Sequence, residues 1–349
     1  MADGSKGRVI FLGVDGLDAS LTEYWLDKGF LPHMSKLAAG GTLCRLMPLR
    51  PNQHSASWAS FLTGVNPAEH GHLALPRMDG DHKRARLPEL VVIPHRLGRA
   101  GIFPLLERGY FFSTFKKDIR PVMMGFPHTF PAPHIKGHLL AGCLPSSFEG
   151  LASPLLLTSE IGGKDELAEG QVIGVQVAEN TVSLRLPGPN FTSAPLRIVI
   201  EPDKERAVVH SHRRSVKARL GKLSEPLQVA FVGWLRRPRR ALLRLLLSSI
   251  TPHLRIFIPG VLPHPMDFPY HLSQPRFYAT KLIRILGDLP FTDPRLIAAA
   301  HSSGMLDMMG VSQILEQNMR LSSEAFLRAL EGNLLHPRLA GSRLLALNI

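Results

Sequence analysis

Two cysteines in 349 residues, Cys44 and Cys143, are too few for a disulfide framework or a cysteine-rich zinc site, and free thiols fit the cytosol. A secretory signal is missing as well: the apolar run "VIFLGV" is too short for its hydrophobic region and is broken by Asp15. No stretch reaches the roughly 18 uncharged apolar residues that a membrane span needs. "ALLRLLLSSI", residues 241–250, is apolar but short. These absences point to a cytoplasmic address. No internal repeat is present.

What the chain does have is the composition of a folded protein. A hydrophobic content of 44% with 20% charged residues excludes wholesale disorder. The length suits one large α/β domain, or a core with an insert. The net charge of +13 is unevenly spread, because eleven Lys/Arg face one acid, Glu225, between Arg206 and Arg244. Such a block can hold phosphates or a membrane surface, or it can be a solvated face. It lacks the interleaved aromatics of a single-strand nucleic-acid platform and matches no helix-turn-helix or finger spacing, so no specific nucleic acid is expected. Trp234 and the leucines after Arg240 give it an amphipathic flavour.

Local patterning divides the chain into three parts. Residues 1–150 read as α/β. "RVIFLGV" is a continuous apolar run of the kind seen in a strand buried on both faces. Ser20 is placed to cap a helix over Leu21 to Lys28 that ends at Gly29, and a second helix starts after Pro32 and stops at Gly40-Gly41. "TLCRLMP" reads as a short strand, "SWASFLTG" as a helix closed by Gly64, and residues 73–100 as polar and basic without periodicity. "FPLLERGYFFSTF" suggests a helix, and "DIRPVMMGFPHTFPAP" a strand running into a proline-rich loop. Residues 151–260 alternate with period two, as in "QVIGVQVAENTVSLRL" and "RAVVHS", which predicts a β-rich insert carrying the basic block. Residues 261–349 return to the α/β part and are mostly helical, with "SQPRFYATKLIRILG" and "SSEAFLRALEGNLL" as the best helices.

Asp15 follows the first strand between Val14 and Gly16. It can cap the next helix, or it can bind a cation at the carboxyl end of the sheet, where α/β proteins gather their ligands. Its wider context decides the expectation. Val14-Asp15-Gly16, Leu31-Pro32, Gly40-Gly41-Thr42, Trp58, Thr63-Gly64, Asn66-Pro67 and His70-Gly71 follow in order. In this the chain resembles the type I phosphodiesterase and nucleotide pyrophosphatase family of the alkaline phosphatase superfamily, in its bacterial branch. "PVMMGFPHTFPAPHIKGHLLAGCLPSS", residues 121–147, is similar to that family's strand, proline-rich loop and glycine turn.

The resemblance implies an alkaline-phosphatase-like α/β fold, a largely parallel sheet flanked by helices. It also implies hydrolysis of a phosphate ester by a Thr or Ser oxygen, with two divalent zinc-like ions activating that oxygen and neutralising charge on the phosphoryl group. Asp15 is then the first metal ligand.

Two departures qualify this. Counting back from Trp58 and from Gly64 places His54, rather than Thr or Ser, at the nucleophile position, with Ser55 one residue on. His54 marks a lost nucleophile or a phosphohistidine route, or Ser55 takes over by a one-residue shift. The remaining family ligands lie in motifs of the Asp-x-x-x-His and Ser-Asp-His-Gly kind, and neither appears: Asp307 is followed by Met-Met-Gly-Val, and Asp81-His82 comes far too early. A lone Asp15 cannot hold two ions that want three or four protein ligands each. His128, His134 and His138 read as loop histidines, and His210 and His212 as an exposed pair.

The expectation is therefore an incomplete, truncated fold that does not retain its metals. The chain is expected to be a phosphoric ester hydrolase relative, inactive or impaired. The alternatives are a non-catalytic binding or scaffold protein and one half of a split enzyme. The expected partners are a phosphate-ester small molecule if active, a second copy, or a complementary C-terminal polypeptide.

Overall fold

The structure is a computed structural model. It describes residues 9–14, 16–49, 54–70, 109–114, 121–142, 154–160, 171–188, 192–212, 214–233, 236–267, 271–289, 297, 300–302 and 304–330, together with the strands 77–78, 85–86, 91–95, 98–102 and 344–348.

The apolar N-terminal run forms β1 (Val9–Gly13), followed by α1 (Ala19–Asp27), α2 (Pro32–Ala39), α3 (His54–Thr63) and the short α4 (Pro67–His70). Gly29 and Gly64 end their helices with φ of +74°, a left-handed turn that glycine adopts without steric cost. The start of α1 differs from expectation. Asp18 rather than Ser20 is the cap, its Oδ1 accepting from the Leu21 amide at 2.8 Å, because a carboxylate two residues earlier already meets the free N–H groups. "TLCRLMP" is not a strand. It runs as irregular chain with Leu46 and Met47 standing in solvent, since no strand among the described residues offers it a ladder.

The region expected to be patternless holds two hairpins, β2 (Arg77–Met78) with β3 (Ala85–Arg86) and β4 (Val91–His95) with β5 (Gly98–Ile102). Then come β6 (Pro121–Met124) and β7 (His138–Leu140). Of the helix expected near "FPLLERGYFFSTF", only a 3-10 turn over Phe111–Thr114 lies within the described residues.

Alternation is carried out as strands, antiparallel except for one pair: β8 (Leu155–Thr158), β9 (Gln171–Gly174), β10 (Thr181–Pro187), β11 (Ser193–Glu201), β12 (Arg206–Ser211), β13 (Arg214–Arg219), β14 (Leu227–Gly233), β15 (Arg236–Leu243), β16 (Leu246–Ser249), β17 (Arg255–Ile258) and β18 (Val261–Pro263). β13-β12-β11-β14-β15-β18 form one sheet, with β10 also on β11, and β16-β17-β8-β9 form another in which β8 and β9 run parallel. Leu186, Leu196, Ile198, Val209 and Phe231 fill the inner side of the larger sheet.

The C-terminal part contributes β19 (Ser273–Gln274), α5 (Phe277–Leu286), α6 (Met308–Leu330) and β20 (Leu344–Asn348). α6 starts well before "SSEAFLRAL", because Asp307 caps it by accepting from the Gly310 amide at 2.7 Å. β20 is the element that helical patterning missed. It lies between β1 and β6, parallel to both, in a sheet ordered β1-β20-β6-β7-β19. That sheet is parallel from β1 to β7, and β19 joins antiparallel. Among the described residues no helix is long and apolar enough to cross a membrane.

Candidate active site

Asp15 lies outside the described residues, between Val14, which is exposed, and Gly16 with φ of +69°. His54 and Ser55 are the first two residues of α3, and their side chains also lie outside the description. What is visible is how β1 and α3 are held. Phe11 stacks on Phe61 with centroids 4.6 Å apart, and Phe61 stacks on Phe126, in the loop after β6, at 6.1 Å. Trp58 meets Phe61 and Phe126 edge-on, each at 5.6 Å. Ala56, Ala59 and Leu62 bury the other turns of α3. These aromatic contacts are directional and fix the helix against the sheet.

The rest of the family-like pattern has structural duties here. The Thr63 hydroxyl donates to the Ala59 carbonyl at 2.7 Å. Asn66 caps α4, its Oδ1 accepting from the amides of Ala68 and Glu69, while its Nδ2 donates to the Glu69 carboxylate at 2.6 Å. His70 Nε2 pairs with the Ser60 hydroxyl at 2.9 Å across the α3–α4 corner, and burial pushes its imidazole below the usual value. Thr63, Asn66 and His70 thus shape the turn behind α3. Residues 9–87 match the family model described as type I phosphodiesterase / nucleotide pyrophosphatase. This supports a relationship to that family over the segment that carries β1, α3 and the α4 corner. No curated protein and no solved structure matches the chain.

Of the three histidines expected in loops, His128 and His134 lie in the β6–β7 loop and His138 lies in a strand. His138 begins β7 and is buried, with its ring edge-on to Tyr278 at 4.6 Å. Among the described residues the buried Tyr278 hydroxyl has no hydrogen-bond partner, and desolvation pushes the phenol well above its usual value. His128 is buried too, at φ of +59°, and its carbonyl accepts from the Tyr110 hydroxyl at 2.5 Å. Only His134 of the three is exposed. No sequence signal separated these histidines, because burial depends on what α5 and the loops bring over the sheet.

Elsewhere Arg244 donates from Nε to the Asp288 carboxylate and from Nη1 to the Ser224 carbonyl at 2.6 Å. Burial pushes the Asp288 carboxyl up against the pull of that guanidinium. Both side chains line a small cavity between β15, β18 and α6, and their bonds tie the end of β15 to the end of α5 and to the chain before β14. The run of basic residues in the sequence distinguishes neither.

The fit to a two-metal centre can be judged on donors. Among the described residues, no group of three or more His, Cys, Asp or Glu is arranged to hold a metal ion. Carboxylates of the N-terminal helices are occupied: Asp18 caps α1, Glu69 is held by Asn66, and Glu23 pairs with Arg45; Asp307 caps α6. Asp15 and the side chains of His54 and Ser55 lie outside the described residues, and the described residues supply no donor set that fits the metal pair the resemblance implies.

Proposed function

We propose that this chain is a phosphodiesterase/nucleotide pyrophosphatase relative whose phosphoryl-transfer chemistry is impaired. Asp15 is its remaining metal ligand, and His54 or Ser55 is the group nearest to a nucleophile. The observation that carries the reading is the family match over residues 9–87, which runs through the segment where His54 replaces a hydroxyl. A hydroxyl nucleophile in such chemistry needs metals to ionise it and to neutralise phosphate charge. Losing one preorganised electrostatic contact already costs roughly 10²–10³ in rate.

Hydrolysis of a bis-aryl phosphate is therefore expected to equal the buffer rate, with or without added zinc. Turnover lost both on chelation and in Asp15→Ala would overturn impairment. Turnover that survives chelation but is lost in His54→Ala would support a metal-free phosphohistidine route.

A second reading, a binding or scaffold protein, is favoured by β1. Ile10 and Leu12, on the face of β1 turned away from Phe11, are each 55% exposed, and Val9 at its start is 61% exposed, so this outermost described strand keeps an open apolar surface. Such an edge accepts another strand. A second copy or a complementary polypeptide would be seen as a concentration-dependent mass in sedimentation. A monomer at all concentrations that recruits no such polypeptide would remove this reading.

A further inference from the structure

The phosphoryl-transfer reading leaves the outer face of the β10–β15 sheet without a role. Cross-strand register shows what it carries. Arg197 lies opposite His210 in one row, and Val199, Val208 and Lys217 form the next. Arg185, one strand over, donates to the Ser193 hydroxyl at 3.3 Å. Directly opposed residues of an antiparallel pair project on the same side, so these groups share one surface. Arg185, Arg197, His210 and Lys217 are all exposed.

Charge on this face is not cancelled. Among the described residues no carboxylate pairs with Arg185, Arg197 or Lys217. Glu201 is taken up by Lys204 at 3.1 Å and Arg206 at 2.7 Å. Asp203 and Glu205 sit in the β11–β12 turn, which leaves the opposite end cationic.

Positive charge alone would suit any polyanion, and two features choose among them. Among the described residues the face carries no Phe, Tyr or Trp on which single-stranded bases would stack, and it presents strands rather than a helix for a duplex groove. Val199 and Val208 stand side by side, half-buried, next to the Arg197 row, and Val232 on the adjoining strand is 48% exposed. A phosphate backbone gains nothing from them, whereas the boundary between lipid headgroups and acyl chains takes both cations and shallow apolar groups.

We propose that this face is a docking surface for anionic phospholipid bilayers. Arg185, Arg197 and Lys217 meet the headgroup phosphates, and Val199 and Val208 lie against the layer beneath. The attraction acts within a Debye length, so binding weakens as salt rises.

The full chain should co-sediment with phosphatidylcholine vesicles containing phosphatidylserine at low salt and stay in solution with phosphatidylcholine alone. Arg197→Glu with Lys217→Glu should weaken binding at least about twentyfold. Lys36→Glu with Arg284→Glu makes the same change in net charge at exposed positions on α2 and α5, and should change binding less than about threefold. Unchanged melting temperatures show that both variants fold; if the first does not, Arg197→Gln with Lys217→Gln replaces it. Equal losses in the two double variants would overturn the proposal, because attraction would then belong to net charge rather than to this face. Binding to phosphatidylcholine alone, no binding to either vesicle, or release from vesicles by an RNA or DNA duplex at lower concentration than by soluble phosphatidylserine would overturn it too.

Discussion

Phe11 of β1 stacks on Phe61 of α3 with ring centroids 4.6 Å apart and planes 23° from parallel. The contact joins the first strand to the helix that starts at His54. Phe61 is 37% exposed, so only part of its ring contributes. Phe61→Ala should cost about 2–3 kcal/mol, below or at the low end for a phenylalanine truncation, and Phe61→Leu less than half of that. Urea denaturation of the two variants measures both.

Gly137, just before β7, leaves no room for a side chain. A Cβ there would lie 2.0 Å from the Pro121 carbonyl oxygen, and backbone cannot swing aside as a flexible side chain can. Gly137→Ala should destabilise by about 2–3 kcal/mol or more. Gly174 ends β9 in open space, where a Cβ would meet nothing within 4 Å, so Gly174→Ala should stay within about 0.5 kcal/mol. Thermal melts of the pair separate close approach from mere loss of glycine.

Leu345 lies opposite Ile10 on one side and Val122 on the other. Proline there cannot sit in a ladder paired on both edges. Leu345→Pro should expose the amides of β1 and β6 to hydrogen exchange, while those of β11 and β12 keep their protection. Equal protection of β1 in both proteins would refute the central position of β20.

His70 supplies a pH dependence. Burial depresses its pKa below the usual imidazole value of about 6.5. The unfolded chain therefore binds the proton more readily, so stability is fully present above about pH 6.5 and falls as pH drops through the folded value. Once protonated, the ring carries a proton on both nitrogens, and Nε2 can only donate to the Ser60 hydroxyl. A proton-resonance titration should show a midpoint below 6.5, and His70→Gln should flatten the melting temperature across that window.

Much of the local structure was written in the residues. The run of β1 marked a strand, though an outermost one with Val9, Ile10 and Leu12 exposed rather than one buried on both faces, because among the described residues only β20 pairs with it. The stops at Gly29 and Gly64, Pro32 at the start of α2, and period-two alternation through β10–β12 are likewise signals carried within a few neighbouring positions. The family relationship came likewise from the order of short motifs, and so did the choice of Asp15, His54 and Ser55. The structure adds the roles of Thr63, Asn66 and His70 in the corner behind α3, which spacing alone does not distinguish from chemistry.

Other features depended on partners distant in the chain. "TLCRLMP" has strand-like residues but no strand beside it among the described residues, so it stays irregular, whereas "LLALN" becomes β20 because β1 and β6 hold a slot between them. His128 and His138 are buried while His134 is not, since only the packing of Tyr110 and Tyr278 decides which imidazole loses water. The basic block counted as one run of charge in sequence, yet pleating puts Lys217 and His210 on the outer face with Arg185 and Arg197, from strands before the block, beside them. Composition sets the amount of charge and apolar surface in a chain; strand pairing across the fold decides which of those groups meet.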